Sequence, residues 1–276
     1  MLTLAAMVAF AANSVLCRLA LTETDIGPAA FTATRLATGA IVLWIVLALR
    51  GRPRGAAGSR AGAIFLFCYA AAFSFAYVDL PTGTGALLLF GAVQLTMIVW
   101  GIRSGERLNR VQAGGLLAAS GGLVWLLMPG ISAPPVGTAM TMFGAGVAWG
   151  AYSLLGRGTG DPLAATGGNF LLALAPALAL VVTAWPHPRW DGLGMVYAAL
   201  SGGVASGLGY AVWYAALRGL SATRAATVQL SVPLIAAVGG VLFLSEPFTA
   251  RLAVASVLIL GGIALVAVTR GGVGKP

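Results

Sequence analysis

The chain has 276 residues, of which 59% are hydrophobic and only 8% are charged, whereas a soluble domain carries roughly 25% charged residues. So few charged side chains cannot cover the surface of a water-soluble protein of this length, and a lipid bilayer removes that requirement. The formal net charge of +9 does not indicate nucleic-acid binding, because the arginines punctuate apolar runs instead of gathering on one basic face.

Ten apolar runs follow one another along the chain, each long enough to cross a hydrocarbon core of about 30 Å. The runs lack the alternation of a barrel strand, and backbone polar groups in lipid must be satisfied within each segment, so helices are predicted. The sequence therefore predicts an all-α polytopic membrane protein with ten transmembrane helices, at 2–20, 29–50, 61–79, 82–102, 107–128, 136–156, 163–185, 192–217, 222–244 and 251–269.

The distribution of basic residues predicts the orientation of these helices, because Lys and Arg accumulate in cytoplasmic loops. If both termini are cytoplasmic, 12 of the 16 Lys and Arg residues fall on the inner side. The outer side keeps Arg18, Arg35, Arg189 and Arg251, and Arg35 lies about two turns inside the second helix. We therefore expect both termini in the cytoplasm.

Two polar breaks, 140 positions apart, carry a glutamate in the same place, Glu106 in the first and Glu246 in the second. Helix 5 follows the first break and helix 10 follows the second, so the repeating unit contains five helices. An odd number of crossings inverts the second copy in the membrane. The sequence predicts two inverted repeats, residues 1–130 with helices 1–5 and residues 131–276 with helices 6–10, which is an architecture of secondary transporters.

Each half closes with a "GE" or "SEP" break followed by a helix with a glycine pair, at 121–122 and 261–262. In these features the whole chain resembles the EamA-domain members of the drug/metabolite transporter superfamily. The first break lacks the proline that follows Glu246, and Val93 stands where helix 9 has Pro233. Within the family the chain is most similar to bacterial amino acid exporters of the YddG type. The resemblance implies export of small metabolites, with amino acids as the expected class, across a bacterial inner membrane by alternating access around a central cavity.

Polar and aromatic side chains within the apolar runs are candidates for the substrate path, because polar groups that face lipid are costly. Helices 1 and 6, 3 and 8, and 4 and 9 are counterparts in the repeat, so an axial cavity between these six helices would receive all of these side chains. Aromatic and amide groups are the usual lining of a small-molecule site. The predicted substrate-binding residues are Asn13, Tyr69, Tyr77, Gln94, Trp149, Tyr152, Tyr210, Trp213 and Gln229.

Structural interpretations stay open for the same residue types. Gln94 and Gln229 are also suited to hydrogen bonds between helices. Tyr and Trp are enriched at membrane interfaces, and such a belt is the expected place of Trp44, Trp100, Trp125, Trp185, Trp190 and Tyr214.

The two glutamates are predicted to stabilise the fold. A carboxylate at the start of a helix caps free amides and faces the positive end of the helix dipole. Arg103, Arg107 and Arg110 are near Glu106, and Arg251 is near Glu246, so ion pairs at the interface are also expected.

Glycine and proline inside the helices predict close packing and kinks. Gly146 and Gly150 of helix 6 are four residues apart and share a face, which lets a neighbouring helix approach closely. Pro176 and Pro233 each remove a backbone hydrogen bond, so kinks are predicted in helices 7 and 9.

The chain gives little support to an enzymatic function. It has no Walker sequence, its single histidine, His187, falls in a predicted outer loop, and no pair of acids lies inside the membrane. We expect no metal or cofactor, no nucleic-acid partner, and a monomer that contacts lipid and a small-molecule substrate. A channel, or a carrier of another metabolite or drug, is the alternative function.

Energy coupling is predicted from the position of the acidic residues. Proton-driven carriers commonly place a carboxylate or a histidine within the membrane, and no deep carboxylate is present in the predicted helices. We therefore expect facilitated transport down the substrate gradient. Coupling through Asp79, near the outer end of helix 3, is the alternative.

Overall fold

The computed structural model describes residues 1–51, 58–130, 133–157, 159–184, 188–220 and 222–270. Two residues with sequence-based predictions, Trp185 and His187, lie outside these ranges. The described residues form an all-helical bundle with no strand. Its helices are α1 (Leu2–Glu23), α2 (Pro28–Leu49), α3 (Arg60–Ala76), α4 (Thr82–Arg103), α5 (Arg110–Leu127), α6 (Val136–Leu155), α7 (Pro162–Thr183), α8 (Gly192–Leu217), α9a (Ala222–Gln229), α9b (Val232–Leu244) and α10 (Ala250–Arg270).

The ten predicted helices are all present, with α9a and α9b forming the ninth. Seven of the helices in the described ranges are long and apolar enough to cross a membrane by length and composition, and α3 is a shorter apolar helix. Large apolar side chains, including Trp44, Trp100, Trp125 and Trp190, are exposed on the outside of the bundle. A water-soluble protein would not leave such an apolar surface uncovered.

Local sequence signals set several helix starts. The side chains of Ser59, Asp161 and Asp191 each accept a bond from a backbone amide three residues on, at the starts of α3, α7 and α8. At α5, Asn109 and Gln112 form a reciprocal capping box with both bonds at 2.9 Å. A cap of this kind contributes about 1 kcal/mol to the stability of a helix.

The ninth helix, predicted over 222–244 with a kink at Pro233, is interrupted between Gln229 and Val232, although Thr227–Leu244 remains one candidate membrane span. Segment α9a ends at Gln229, and α9b begins at Val232 with Pro233 in its first turn. Proline lacks the amide hydrogen needed inside a helix but is tolerated in the first turn, which explains the position of the break. Pro176, by contrast, stays inside a continuous α7.

The eighth helix contains a π-helical stretch, Leu200–Leu208, which the sequence does not predict. Glycines allow this wide turn to pack closely on α2. A Cβ atom at Gly202 would collide with the backbone carbonyl of Arg35, and one at Gly203 or Gly207 would press on Val42. Local π-helical segments occur frequently beside functional sites.

The bundle core forms where small residues let helices meet. Gly146 and Gly150 of α6 face the backbone and small side chains of α4, so the predicted packing face is confirmed. Helices α5 and α10 approach through Gly115 and Gly262, each of which lies against the carbonyl of the other. These contacts pack α4 against α6 and α5 against α10.

Candidate substrate cavity

A cavity of about 830 Å³ lies along the middle of the bundle. Helices α1, α3, α4, α6, α8 and α9a line it, as the repeat predicts, and α7 and α10 also contribute. The lining brings together eight of the nine predicted substrate-binding residues, namely Asn13, Tyr69, Gln94, Trp149, Tyr152, Tyr210, Trp213 and Gln229.

Tyr77 is the predicted residue that lies outside the lining. Helix α3 ends at Ala76, three residues before the predicted end, and Tyr77 is buried in the following turn. Its hydroxyl donates to the carbonyl of Thr82 at 3.2 Å, and its ring packs edge-on against Phe73 and over Gly85. These contacts place Tyr77 between α3 and α4, in the packed end of the bundle.

The cavity reaches one end of the bundle. It extends to Ser59 at the start of α3, to Arg157 after the end of α6, and to Pro162 at the start of α7. These helix ends lie on the side that carries most of the arginines. The cavity is therefore accessible from the side that the charge distribution predicts to be cytoplasmic.

Trp149 is the centre of an aromatic wall. Its ring lies 4.7 Å from Tyr69, 5.2 Å from Tyr152 and 5.6 Å from Tyr210, measured between ring centroids. The last two rings are nearly parallel to the indole, at 24° and 25°. Flat aromatic faces supply large apolar contact area in fixed orientations, which suits a planar or apolar ligand.

A first polar cluster surrounds the Tyr69 hydroxyl. That oxygen accepts from Asn13 Nδ2 at 3.2 Å and from Arg35 Nη2 at 2.8 Å. Ser201 in the π-helical stretch donates to Asn13 Oδ1 at 2.5 Å. The cluster thus joins α1, α2, α3 and α8 at the inner end of the cavity.

A second polar cluster surrounds the Tyr152 hydroxyl near the accessible end. Asn169 Nδ2 donates to it at 3.3 Å and it donates to Thr166 Oγ1 at 3.4 Å, while Tyr214 and Thr166 share a hydroxyl bond of 3.0 Å. Asn169 also accepts from the Ser59 amide at 2.8 Å. Tyr214 is therefore a cavity residue, and its prediction as part of an interfacial belt is wrong.

The lining contains two glutamines. Gln94 is buried in α4, and Gln229 is the last residue of α9a. Neither side chain forms a hydrogen bond with another residue in the described ranges. The interpretation that these glutamines form hydrogen bonds between helices is therefore not supported. Their side-chain amides can bind a ligand in the cavity.

The opposite end of the bundle, which the cavity does not reach, contains a salt bridge. Arg18 Nε lies 3.3 Å from Glu246 Oε1, and Glu246 Oε2 accepts from the Thr82 amide at 2.7 Å. Arg18 also donates to the carbonyls of Tyr77 and Val78. This end joins the start of α4 to α1 and to the loop between α9b and α10.

The predicted fold-stabilising role of Glu246 is retained, but its partners differ from those predicted. Glu246 caps α4, not the helix that follows it, and its ion pair is with Arg18 rather than Arg251. Arg251 instead donates to the carbonyls of Leu126 and Met128 at the end of α5. The side-chain cap at the start of α5 is Asn109.

Arg35 is the principal residue that sequence reasoning missed. It appeared only as an outer arginine in the charge count, whereas its side chain is buried in contact with the cavity wall. The signal was present, because an ionisable residue two turns inside an apolar run marks a functional site by default. Thr166 and Asn169 were missed because a single hydroxyl or amide near a helix start carries no such signal.

Comparison with known proteins identifies a family for the second half of the chain. Residues 137–268 match the EamA-like transporter family. The chain is 56% identical over 271 residues to the uncharacterized protein PA1977 of Pseudomonas aeruginosa, covering 98% of this chain and 94% of that protein. A chloroplastic WAT1-related protein of Arabidopsis thaliana is 24% identical, covering 87% of this chain and 63% of that protein.

A solved crystal structure of a protein shares the fold. It superposes on the chain with a TM-score of 0.65 at 19% sequence identity, and the match covers 96% of this chain and 98% of that one. The similarity therefore extends over both halves of the bundle, including the helices that line the cavity.

Proposed function

Because the chain carries an EamA-like transporter domain of the drug/metabolite transporter superfamily and crosses the membrane several times, we propose that it is a secondary transporter that exports small metabolites. Amino acids with aromatic or other apolar side chains are the expected class. The observation that carries the proposal is a central cavity, lined by aromatic and amide side chains, that is accessible at one end and closed by a salt bridge at the other. A carrier caught in one of its two access states has this form.

Alternating access in this proposal depends on two inverted repeats, residues 1–130 and 131–276. The contacts between helices support these repeats, because each helix pair has a matching pair formed by its counterparts in the other half. Helix α3 packs on α6 as α8 packs on α1, α4 packs on α6 as α9b packs on α1, and α5 packs on α10. We infer that a pseudo-two-fold axis in the membrane plane relates these pairs, which would make the second access state the first with the halves exchanged.

The same inferred symmetry predicts which residues close the accessible end of the cavity in the second access state. Arg157 is the repeat counterpart of Arg18, and Glu106 is the counterpart of Glu246. Arg157 lies at the accessible end of the cavity, and Glu106 lies in the loop before α5. We infer that these two residues pair when the cavity opens to the other side, while the Arg18–Glu246 pair separates.

The proposed location is a bacterial inner membrane, with both termini in the cytoplasm. The cavity then opens to the cytoplasm, where an accumulated metabolite enters it, and release is to the outside. The acidic residue considered for proton coupling, Asp79, is exposed at the closed end of the bundle. That position supports transport without a proton.

Reconstitution in liposomes tests the proposal. We expect counterflow of a radiolabelled amino acid such as L-phenylalanine, and we expect Trp149→Ala to lower its kcat/KM about tenfold, because the variant removes the central ring of the wall. Trp125→Ala is the control, since Trp125 lies on the outside of the bundle, and it should leave transport unchanged.

The rate per molecule separates a carrier from the alternative channel function. A channel conducts far faster than a protein that must change conformation in each cycle. Flux without counterflow, at channel rates, and unaltered by Trp149→Ala, would contradict the proposal.

A further inference from the structure

Arg35 holds a charge that is enclosed within the membrane-spanning bundle. The residue is 1% exposed. Its Nη2 donates to the Tyr69 hydroxyl at 2.8 Å, and its guanidinium carbon lies 5.1 Å from the centroid of the Tyr69 ring and 4.8 Å from that of Phe73. Within the described part of the chain, Nε and Nη1 have no hydrogen-bond partner.

This arrangement leaves a permanent positive charge without a counter-ion. Arginine stays protonated in proteins and presents five N–H donors. Arg35 forms no salt bridge with any carboxylate in the described ranges. A buried charge without a partner is strongly destabilising, and such a residue inside a membrane protein marks a path for a ligand or an ion.

The cavity next to Arg35 has a positive electrostatic character. Its described lining contains Arg157 and no aspartate or glutamate. Tyr69 and Phe73 contact both the cavity and the guanidinium, so Arg35 lies one side chain behind the lining. A charge of one sign in a low-dielectric cleft attracts ligands of the opposite sign and repels those of the same sign.

We propose that Arg35 is the counter-ion of the transported substrate, which is an organic carboxylate with an aromatic or apolar body. This inference rests on the proposed transport function and names its substrate class. The carboxylate accepts from Nε and Nη1, the donors that have no partner, in the bidentate geometry that arginine favours. The apolar body stacks on the wall around Trp149. An amino group on the substrate is not required, because the described lining offers no carboxylate to receive it.

The position of Arg35 along α2 agrees with a role in passage through the membrane. Helix α2 starts at Pro28, and Arg35 is seven residues further, about 10 Å along the axis. This places the guanidinium between the cavity and the closed end. The Tyr69 and Phe73 rings separate it from the cavity, so their side chains turn aside when the carboxylate advances.

Direct binding to the purified full-length chain tests the proposal with two probes that differ in one group. The probe 3-phenylpropionate has a carboxylate and no amine, and 2-phenylethylamine has an amine and no carboxylate. We expect 3-phenylpropionate to bind at least roughly tenfold more tightly in isothermal titration, as a charge-assisted pair predicts. Equal binding of the two probes, or tighter binding of the amine, would overturn the proposal.

The variant Arg35→Met separates ligand binding from stability. It keeps an unbranched apolar side chain and removes the charge, so we expect a roughly tenfold to hundredfold loss of 3-phenylpropionate affinity with an unchanged or raised melting temperature. Arg157→Gln removes the other charge of the lining and should have a smaller effect. A lowered melting temperature with the probe preference unchanged would assign Arg35 a structural role only.

A conservative variant keeps the test decisive if Arg35→Met does not fold. Arg35→Lys retains the charge but not the planar fork, so it should bind 3-phenylpropionate more weakly than the parent chain while still preferring it to the amine. Loss of that preference in Arg35→Lys would contradict the proposal.

Counterflow of the same probes in liposomes distinguishes this inference from the proposed function. Binding of 3-phenylpropionate without counterflow of either 3-phenylpropionate or L-phenylalanine would contradict the transporter function and leave the Arg35 site in place. Transport of L-phenylalanine with equal inhibition by both probes would contradict the Arg35 site and leave the transporter function in place.

Discussion

At the scale of single residues, the Tyr69 hydroxyl is the most connected polar atom of the site. It receives one bond from α1 and one from α2, and Asn13 extends the network to Ser201 in α8. In a low-dielectric interior, a network of this kind orients its members and penalises any member left without a partner. The orientation of Asn13 in the lining and of Arg35 behind it therefore depends on one oxygen atom.

Removal of that oxygen should destabilise the protein. Tyr69→Phe leaves two buried donors, Asn13 Nδ2 and Arg35 Nη2, without their acceptor, and we expect a loss of about 1–3 kcal/mol in the free energy of unfolding. Chemical unfolding in detergent measures it. Tyr197→Phe is the matched control, because the Tyr197 hydroxyl forms no hydrogen bond with the described residues. Equal stability of the two variants would show that the network does not hold this part of the bundle.

At the scale of helices, glycine decides how closely α5 and α10 pack. Two neighbouring glycines of α5 have opposite surroundings. A Cβ atom at Gly122 would come within 2.8 Å of side-chain atoms of Leu258 and Ile259, whereas one at Gly121 would meet open space. Gly121 and Gly122 are therefore a matched pair for substitution: they are adjacent in the same helix, and they differ in whether a neighbouring helix packs against them.

Alanine substitution at each glycine tests this packing. Gly122→Ala overpacks the contact between α5 and α10 and should destabilise the protein by about 1–3 kcal/mol. Gly121→Ala should be neutral or stabilise it by up to about 1 kcal/mol, because alanine favours the helix without meeting a neighbour. Unfolding of both variants under the same detergent conditions gives the comparison. A Gly122→Ala variant as stable as Gly121→Ala would contradict the close approach of the two helices.

The closed end of the bundle also depends on contacts between elements. Glu246 joins α1 and the start of α4 to the loop before α10. Cys17, next to Arg18 in α1, is buried, whereas Cys68 of α3 is exposed. We therefore expect the native Cys17 thiol to become accessible when the helices around it separate.

Loss of the Glu246 carboxylate should open that end more often. In a Cys68→Ala background, we expect Glu246→Ala to raise the rate at which a maleimide labels Cys17 several-fold, because Arg18 loses its carboxylate and the Thr82 amide loses its acceptor. Glu106→Ala is the control at the other end and should not raise it. Unchanged labelling in Glu246→Ala would mean that other contacts keep the end closed.

At the scale of the whole molecule, a positively charged cavity that selects anions determines how the membrane potential acts on export. An anion that leaves a cell with a negative interior gains about 2.3 kcal/mol per elementary charge for each 100 mV of membrane potential. Export of an organic carboxylate therefore needs no proton. This agrees with a described cavity lining that contains no aspartate or glutamate.

A potassium diffusion potential in liposomes tests this driving force. With 100 mV, inside negative, loaded 3-phenylpropionate should distribute toward the outside by about fiftyfold at equilibrium, whereas zwitterionic L-phenylalanine should not respond. Protein-free liposomes control for passive leakage. Accumulation driven by a pH difference alone, and lost in Asp79→Asn, would contradict facilitated transport.

The sequence by itself determined the solvent, the element type and the number of helices. A chain with 8% charged residues cannot cover itself in water, and lipid requires each run to satisfy its own backbone bonds, so composition alone leads to a helical membrane bundle. The packing face of Gly146 and Gly150 also followed from the sequence, because residues four positions apart share one face of a helix.

Only the tertiary structure decided which side chains meet. Glu246 caps α4 across 164 positions of sequence, and Tyr214 faces the cavity instead of the interface, because both depend on how helices distant in sequence are rotated and packed. The break between α9a and α9b needed the same information, since Pro233 is compatible with a kink or with a new helix start. Arg35 carries the signal of a buried charge in the sequence, but the absence of a counter-ion among the described residues follows only from the packed bundle.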